Sequence, residues 1–327
     1  MRHAKLLVPV MLAAMTIVSA CTAIAEPTQV PVTALPTSEQ EPAGEEAPPP
    51  GEETPPPAPP ATETTEPQAA LVNGQPISLA EYERQVGRYE ASIVAAGQDP
   101  LTQEGQQALS QGRQWVLDMM IEQMLIEQRA AQEGITVSDE EVNATIESLR
   151  AETGVEAFDD WLAQEGMTLE EMRERLRGDM IATQMANRVA EAVPARAEHI
   201  HARHILVASE EEARQLLSQL QAGADFAALA RTFSQDISTR DVGGDLGFFS
   251  PGVLTSKEVE AAAFSLQPGQ LSDVVRSDLG FHIVQVVDRV ADQEIAPENL
   301  RLLRDQAVRA WLDELRASAD LQVFVTP

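Results

Sequence analysis

Cysteine is nearly missing from this chain of 327 residues, where Cys21 stands alone. An intramolecular disulfide, a Cys-ligated zinc site and a free thiol nucleophile are therefore excluded. Histidine is scarce as well, with five in all and none between Ala70 and Pro194. Positive charge is thin: Lys and Arg number 23 against 52 Asp and Glu, for a formal net charge of -29. Phosphate backbones need clustered cations, so nucleic acid is excluded as a partner, and a face this acidic avoids anionic lipid. Long apolar runs are absent apart from Leu6 to Val18, itself broken by Pro9 and Thr16 and too short to span a bilayer.

That run nevertheless has a context. Met1-Arg2-His3-Ala4-Lys5 precedes it and Val18-Ser19-Ala20-Cys21 closes it. A basic start, an apolar middle and small residues before a cleavage point read as a secretory signal peptide over residues 1–20. The closing residues resemble a bacterial lipobox, in which cleavage leaves a lipid-bearing cysteine first. Several acyl chains on Cys21 would anchor the chain stably where one would not. The expectation is a lipoprotein outside the cytoplasmic membrane; an ordinary signal with a chance cysteine is the alternative. Residues 21–69 then run through "EPAGEEAPPPGEETPPPAPPATETTEP" without Lys or Arg. Such sequence cannot bury enough surface to offset its ordering entropy, so it reads as a disordered, extended tether.

Residues 70–196 read as a helical domain. Asn73-Gly74 signals a type I′ hairpin, and Ser78 with Glu81 a capping box. Leu109, Val116, Met119, Met120, Met124, Leu125 and Ile126 recur at helical spacing between about Thr102 and Gln132. Ser138 with Glu141 and Thr168 with Glu171 open two more helices, and Pro194 stops the last. The methionines Met119, Met120, Met124, Met167, Met172, Met180 and Met185 have two readings, core filling or an adaptable groove for apolar partners.

Strands alternate with short helices over residues 197–290. Ala202 to Val207 reads as a strand on which alternation places His204 with Ala202 and Leu206, and His199, His201 and Arg203 on the other face. A metal site built from "HIHARH" would need those rings together. Ser209 with Glu212 and then Asp225 start two helices, a third lies around Lys257 to Phe264, and strands are expected over Leu271 to Val275 and Phe281 to Val287. Residues 291–327 return to helix, with Pro297 at its start, and end in "LQVFV", which alternates like an edge strand. A lone helix is marginal in water, so this tail is expected to pack back on the first helices.

The blocks "ARHILV", "FAALARTFSQDIS", "GGDLGFFSPG", "AAAFSLQPGQLSDVV" and "LGFHIVQV", in that order and spacing, closely resemble the parvulin family of peptidyl-prolyl cis/trans isomerases. With helices on both sides, the layout is similar to extracytoplasmic foldases of the SurA and PrsA type. The resemblance implies an α+β fold: a parvulin domain, with a four-stranded antiparallel sheet, inserted in an all-α chaperone-like domain that the C-terminal helix completes. It implies that His204 and His282 face each other from two strands, that Asp236 supplies the carboxylate of the site, and that Ser277 supplies a hydroxyl where the family usually has Thr. Leu246, Leu254, Val259 and Phe264 match the wall of a proline pocket. Val259 departs from the family, which carries an aromatic ring there.

The reaction so implied makes and breaks no bond to the substrate. An X-Pro amide turns over a barrier of roughly 18–20 kcal/mol, and an enzyme need only bind the twisted amide better than the planar forms. No cofactor and no metal are implied. The partners implied are unfolded or proline-containing exported polypeptides, with the membrane reached through Cys21. Other chemistries fail on the residues: "VGGDLG" has no Gly-Lys-Ser/Thr after it, Ser277 sits on no nucleophile elbow, and "ASEEE" after the first strand would repel phosphate. Two competing functions stay open, a holding chaperone with a weak or inactive parvulin module and a structural envelope lipoprotein.

Overall fold

The computed structural model describes residues 66–326; the expected signal peptide, Cys21 and almost all of the expected tether lie outside them. The chain opens with β1 (Gln68–Val72) and β2 (Gln75–Ser78), joined by Asn73 at φ 50° and Gly74 at φ 80°. Two consecutive positive φ values are what a type I′ turn demands, and only Asn, Asp or Gly adopt them readily. Five helices follow: α1 (Leu79–Ala95), α2 (Gln103–Gln132), α3 (Asp139–Thr153), α4 (Val155–Gln164) and α5 (Leu169–Glu191). Ser138 with Glu141 and Thr168 with Glu171 form complete capping boxes. At Ser78 and Ser209 only half of the expected box forms: each hydroxyl accepts the N–H three residues on, while the Glu81 carboxylate is drawn to Arg84 and Gln85 instead. Helix α4 has no side-chain cap to announce it and begins directly after Gly154.

The second half opens with β3 (Arg196–Val207), α6 (Glu210–Gln221) and α7 (Phe226–Phe233). A short 3-10 turn at Arg240–Val242 leads to β4 (Asp245–Phe249), α8 (Lys257–Ser265), β5 (Val275–Ser277) and β6 (Gly280–Glu294). These strands form one antiparallel sheet in the order β4-β3-β6-β5. The strand expected over Leu271 to Val275 reduces to a single bridge from Leu271 to Gln285 before β5 starts. Ser272 is the cause: its hydroxyl, not its carbonyl, accepts the Val284 N–H, so the regular ladder is interrupted.

Alternation along β3 and β6 builds two cores, one on each face of the sheet. Ile205, Val207 and Ile283 pack with Ala213, Leu216, Leu217 and Leu220 of α6 and Phe226 and Ala230 of α7. Ile200, Ala202, Val284 and Val286 pack on the other side with Phe249 and with Val259 and Ala263 of α8.

The tail is α9 (Pro297–Ser318) and β7 (Leu321–Val323). Strand β7 pairs antiparallel with β1, so the helical region carries a three-stranded sheet, β2-β1-β7, that joins the two ends of the described chain. Leu315 belongs to the same core as Val72, Val116, Ile121, Leu125 and Met185, with Trp311 and Leu312 packed against it. The α+β unit is therefore an insertion between segments that share one core. Met167, Met172 and Met185 are buried, and Met120, Met124 and Met180 pack partly buried against the same two cores, so these methionines are core filling. Among the described residues no helix is long and apolar enough to cross a membrane.

Candidate active site

Register sets the site. Leu206 lies opposite His282 and His204 opposite Val284, which puts the two histidines diagonally across neighbouring strands on one face. Their rings stack at 17° with centroids 5.5 Å apart, and the two Nδ1 atoms are 3.3 Å apart. His204 Nε2 lies 2.7 Å from Asp236 Oδ2 and 3.1 Å from Thr239 Oγ1. At the other end, His282 Nε2 lies 2.7 Å from Ser277 Oγ, which accepts the Leu279 N–H at 3.1 Å. The four residues Asp236, His204, His282 and Ser277 thus form one unbroken line. His204 is 6% exposed and His282 1%, whereas Asp236 and Ser277 are half-buried.

Proton positions follow from the ends of that line. Burial alone would raise the Asp236 carboxyl, but hydrogen bonds from the Ser238 hydroxyl, the Thr239 hydroxyl, the His204 ring and the Ser238 N–H hold it far below the usual carboxylate range. An ionised carboxylate only accepts, so His204 donates from Nε2. Burial, reinforced by His204 beside it, pushes the His282 ring down to about 4, against the opposing pull of Asp236 and Glu258. A neutral His282 then donates from Nδ1 to His204 Nδ1 and accepts the Ser277 hydroxyl proton at Nε2. Every polar atom on the line then has a partner, which is the condition for a stable buried network.

The sheet face that carries His204 and His282 also carries an apolar cluster. Leu246, Leu254 and Phe264 are partly buried against the cluster that contains Phe249 and Val259, and Phe264 meets Phe249 edge-on at 5.9 Å. Val259 is 3% exposed, so it underlies this wall and presents almost nothing to a ligand.

The remaining histidines do not join. His201 turns to Asp245, with Nε2 2.7 Å from Oδ1, and His199 Nδ1 lies 3.1 Å from the Ala197 carbonyl. His199 is 4% exposed, although alternation puts it on the same strand face as the partly exposed His201. Register shifts between Ala197 and His199 and between His201 and Ala202 disturb the simple alternation there. Among the described residues no group of three or more His, Cys, Asp or Glu converges as metal ligands would.

Three contributors escaped the sequence reading. Thr239 and Ser238 both donate to Asp236, at 2.6 and 2.5 Å, and the hydroxyl-rich run "SQDIST" was the available sign. Gly244, at φ 82°, accepts the His204 N–H through its carbonyl, and a Cβ there would lie 2.1 Å from the His204 carbonyl oxygen.

A PPIC-type PPIASE domain matches residues 186–290 and a SurA-like N-terminal domain matches residues 60–186. Foldase protein PrsA of Caldanaerobacter subterraneus subsp. tengcongensis is 33% identical over 276 residues, 78% of this chain and 86% of that one. The chain belongs to the PrsA family of foldases. Its inserted unit is a parvulin-type peptidyl-prolyl cis/trans isomerase domain. Chaperone SurA of Burkholderia orbicola is 41% identical over 139 residues, 37% of this chain and 30% of that one. A crystal structure of peptidylprolyl isomerase (PrsA) from Bacillus cereus matches at 24% identity and a TM-score of 0.44, covering 79% of this chain and 94% of that chain.

Proposed function

We propose that this PrsA-family chain isomerises X-Pro bonds in unfolded, exported polypeptides at the line Asp236, His204, His282 and Ser277. The observation that carries the reading is the continuity of that line beside the apolar wall of Leu246, Leu254 and Phe264. An apolar wall strips water from the proline ring and its amide, and a planar amide is the more polar form, so dehydration favours the twisted one. Asp236 and Ser277 are the members that a peptide can reach; the buried rings of His204 and His282 hold them in place and fix their polarity. Lowering the barrier by about 4 kcal/mol accelerates the turn roughly a thousandfold. No proton needs to be transferred to the substrate.

The helical region with α9 then serves to hold the client, and the motif ending at Cys21 tethers the chain to the outer face of a bacterial membrane, with residues 21–69 as the spacer. The Val18-Ser19-Ala20-Cys21 sequence and the tether composition support that placement. One observation favours a second reading, a holding chaperone with a weak isomerase: the buried Val259 leaves the wall without a ring that the family carries. Refolding of an unfolded client whose slow phase is limited by proline isomerisation separates the two. The full chain should shorten that phase catalytically, and Asp236→Ala should do so at least about tenfold less effectively. Suppressed aggregation with an unchanged slow phase would establish the holding function alone.

A further inference from the structure

Leu254, one of the partly buried residues of the apolar wall, stands on a loop that is gripped from two sides. On one side Glu260 of α8 uses both carboxylate oxygens: Oε1 accepts the Gly252 N–H at 2.8 Å and Oε2 the Leu254 N–H at 3.0 Å. On the other side α9 closes in. A Cβ on Gly252 would lie 2.6 Å from Leu303 Cδ2 and 3.7 Å from Gln306 Oε1, so the glycine backbone is packed directly under the Leu303 side chain. Gly252 also sits at φ 86°, where other residues are strained.

Helix α9 therefore has two working faces. Trp311, Leu312 and Leu315 belong to the core of the helical region, whereas Leu303 and Gln306 fall on roughly the opposite face by the 3.6-residue repeat and meet the isomerase loop. One helix ties the core of the helical region to the loop that carries Leu254.

We propose that Glu260 and Leu303 are positioning residues for the isomerase site, clamping the loop of Gly252, Val253 and Leu254 so that α9 sets where the Leu254 wall stands. Neither touches the reacting amide; both act through Leu254. The inference rests on the isomerase reading above. Leu254 grips the proline ring, which is the same in the planar and twisted forms, while Leu246 and Phe264 go on excluding water from the amide, so loosening Leu254 should raise KM and leave kcat nearly unchanged.

The test uses the full chain. Leu303→Ala should raise KM for an unphosphorylated proline peptide about fivefold with kcat held, and should speed hydrogen exchange at the Gly252 and Leu254 amides. Leu303→Met, which refills the contact, should restore both. Glu260→Gln, which loses one acceptor oxygen, should shift the same two readouts. All three tryptophans, Trp115, Trp161 and Trp311, lie in the helical region, so their fluorescence reports whether that region stays folded in each variant. An active wild type whose Leu303→Ala variant keeps its KM and its amide protection would overturn the clamp while leaving the isomerase reading intact. A wild type that does not isomerise would overturn the isomerase reading first, and the positioning role with it.

Discussion

His204 and His282 stack at 17° across neighbouring strands with their Nδ1 atoms 3.3 Å apart. The contact carries the polarity of the whole site, because each ring is fixed by what the other accepts or donates. His204→Ala removes the donor to Asp236 and the acceptor for His282 together. A buried group left short of a partner typically costs about 1–3 kcal/mol, so the unfolding midpoint in denaturant should fall accordingly. Isomerase activity should drop without vanishing, since the apolar wall remains. His201→Ala is the proper control, being bonded to Asp245 and outside the line; His199 is buried and does not serve.

Acid should unpick the network in a defined window. The His282 ring titrates near 6.5 in an unfolded chain and at about 4 here, so between those values the unfolded state binds more protons. Stability therefore rises with pH across that window and is lost as pH falls through it, by an amount on the order of 3 kcal/mol. Asp236, depressed below its usual range, adds a loss in the same direction at still lower pH. Urea unfolding from pH 7 to pH 4 should show the slope, and the difference between wild type and His282→Asn should isolate it. Activity should be flat near neutrality and fall only as pH approaches 4.

Gly244 should tolerate no side chain. Gly244→Ala would combine a left-handed φ of 82° with a Cβ 2.1 Å from the His204 carbonyl oxygen, a backbone atom that cannot swing aside. The expected loss exceeds about 2 kcal/mol, with activity falling alongside because His204 itself must shift. Thermal melting and the isomerase assay together check this, and a variant that melts like wild type would contradict the close approach.

Removal of Pro297 to Pro327 should unfold the helical region before the inserted unit. It deletes β7 from beside β1 and takes Trp311, Leu312 and Leu315 out of the first core. Emission from Trp115 and Trp161 should lose its cooperative transition. An unchanged transition would contradict the shared core.

The Cys21 tether has a direct chemical test. Metabolic labelling with a fatty-acid analogue should mark the wild-type chain and not Cys21→Ser, and an unlabelled wild type found free in the medium would contradict the anchor.

Much of this arrangement is legible in the sequence because its parts are local. Asn73-Gly74, the boxes at Ser138 and Thr168, and the strand alternation around His204 each depend on a few neighbouring residues, and each appears as expected. The sequence was silent where distance along the chain decides. Thr239 bonds His204 across 35 positions, Gly252 meets Leu303 across the whole of β5 and β6, and no periodicity announces either. Helix α4 was missed for a different reason, since it has no capping side chain and follows α3 after a single glycine. Ser272 shows the opposite failure: an apolar run that reads as strand is broken by one hydroxyl taking the place of a carbonyl.

The central claim is that the line from Asp236 to Ser277 turns proline amides. It is tested most directly by magnetisation-exchange NMR on an unphosphorylated X-Pro peptide with catalytic amounts of the full chain. Exchange between cis and trans signals should accelerate with wild type, and fall by about tenfold or more with Asp236→Ala in a protein that remains folded. Exchange at the uncatalysed rate with wild type, or at the wild-type rate with Asp236→Ala, would contradict it.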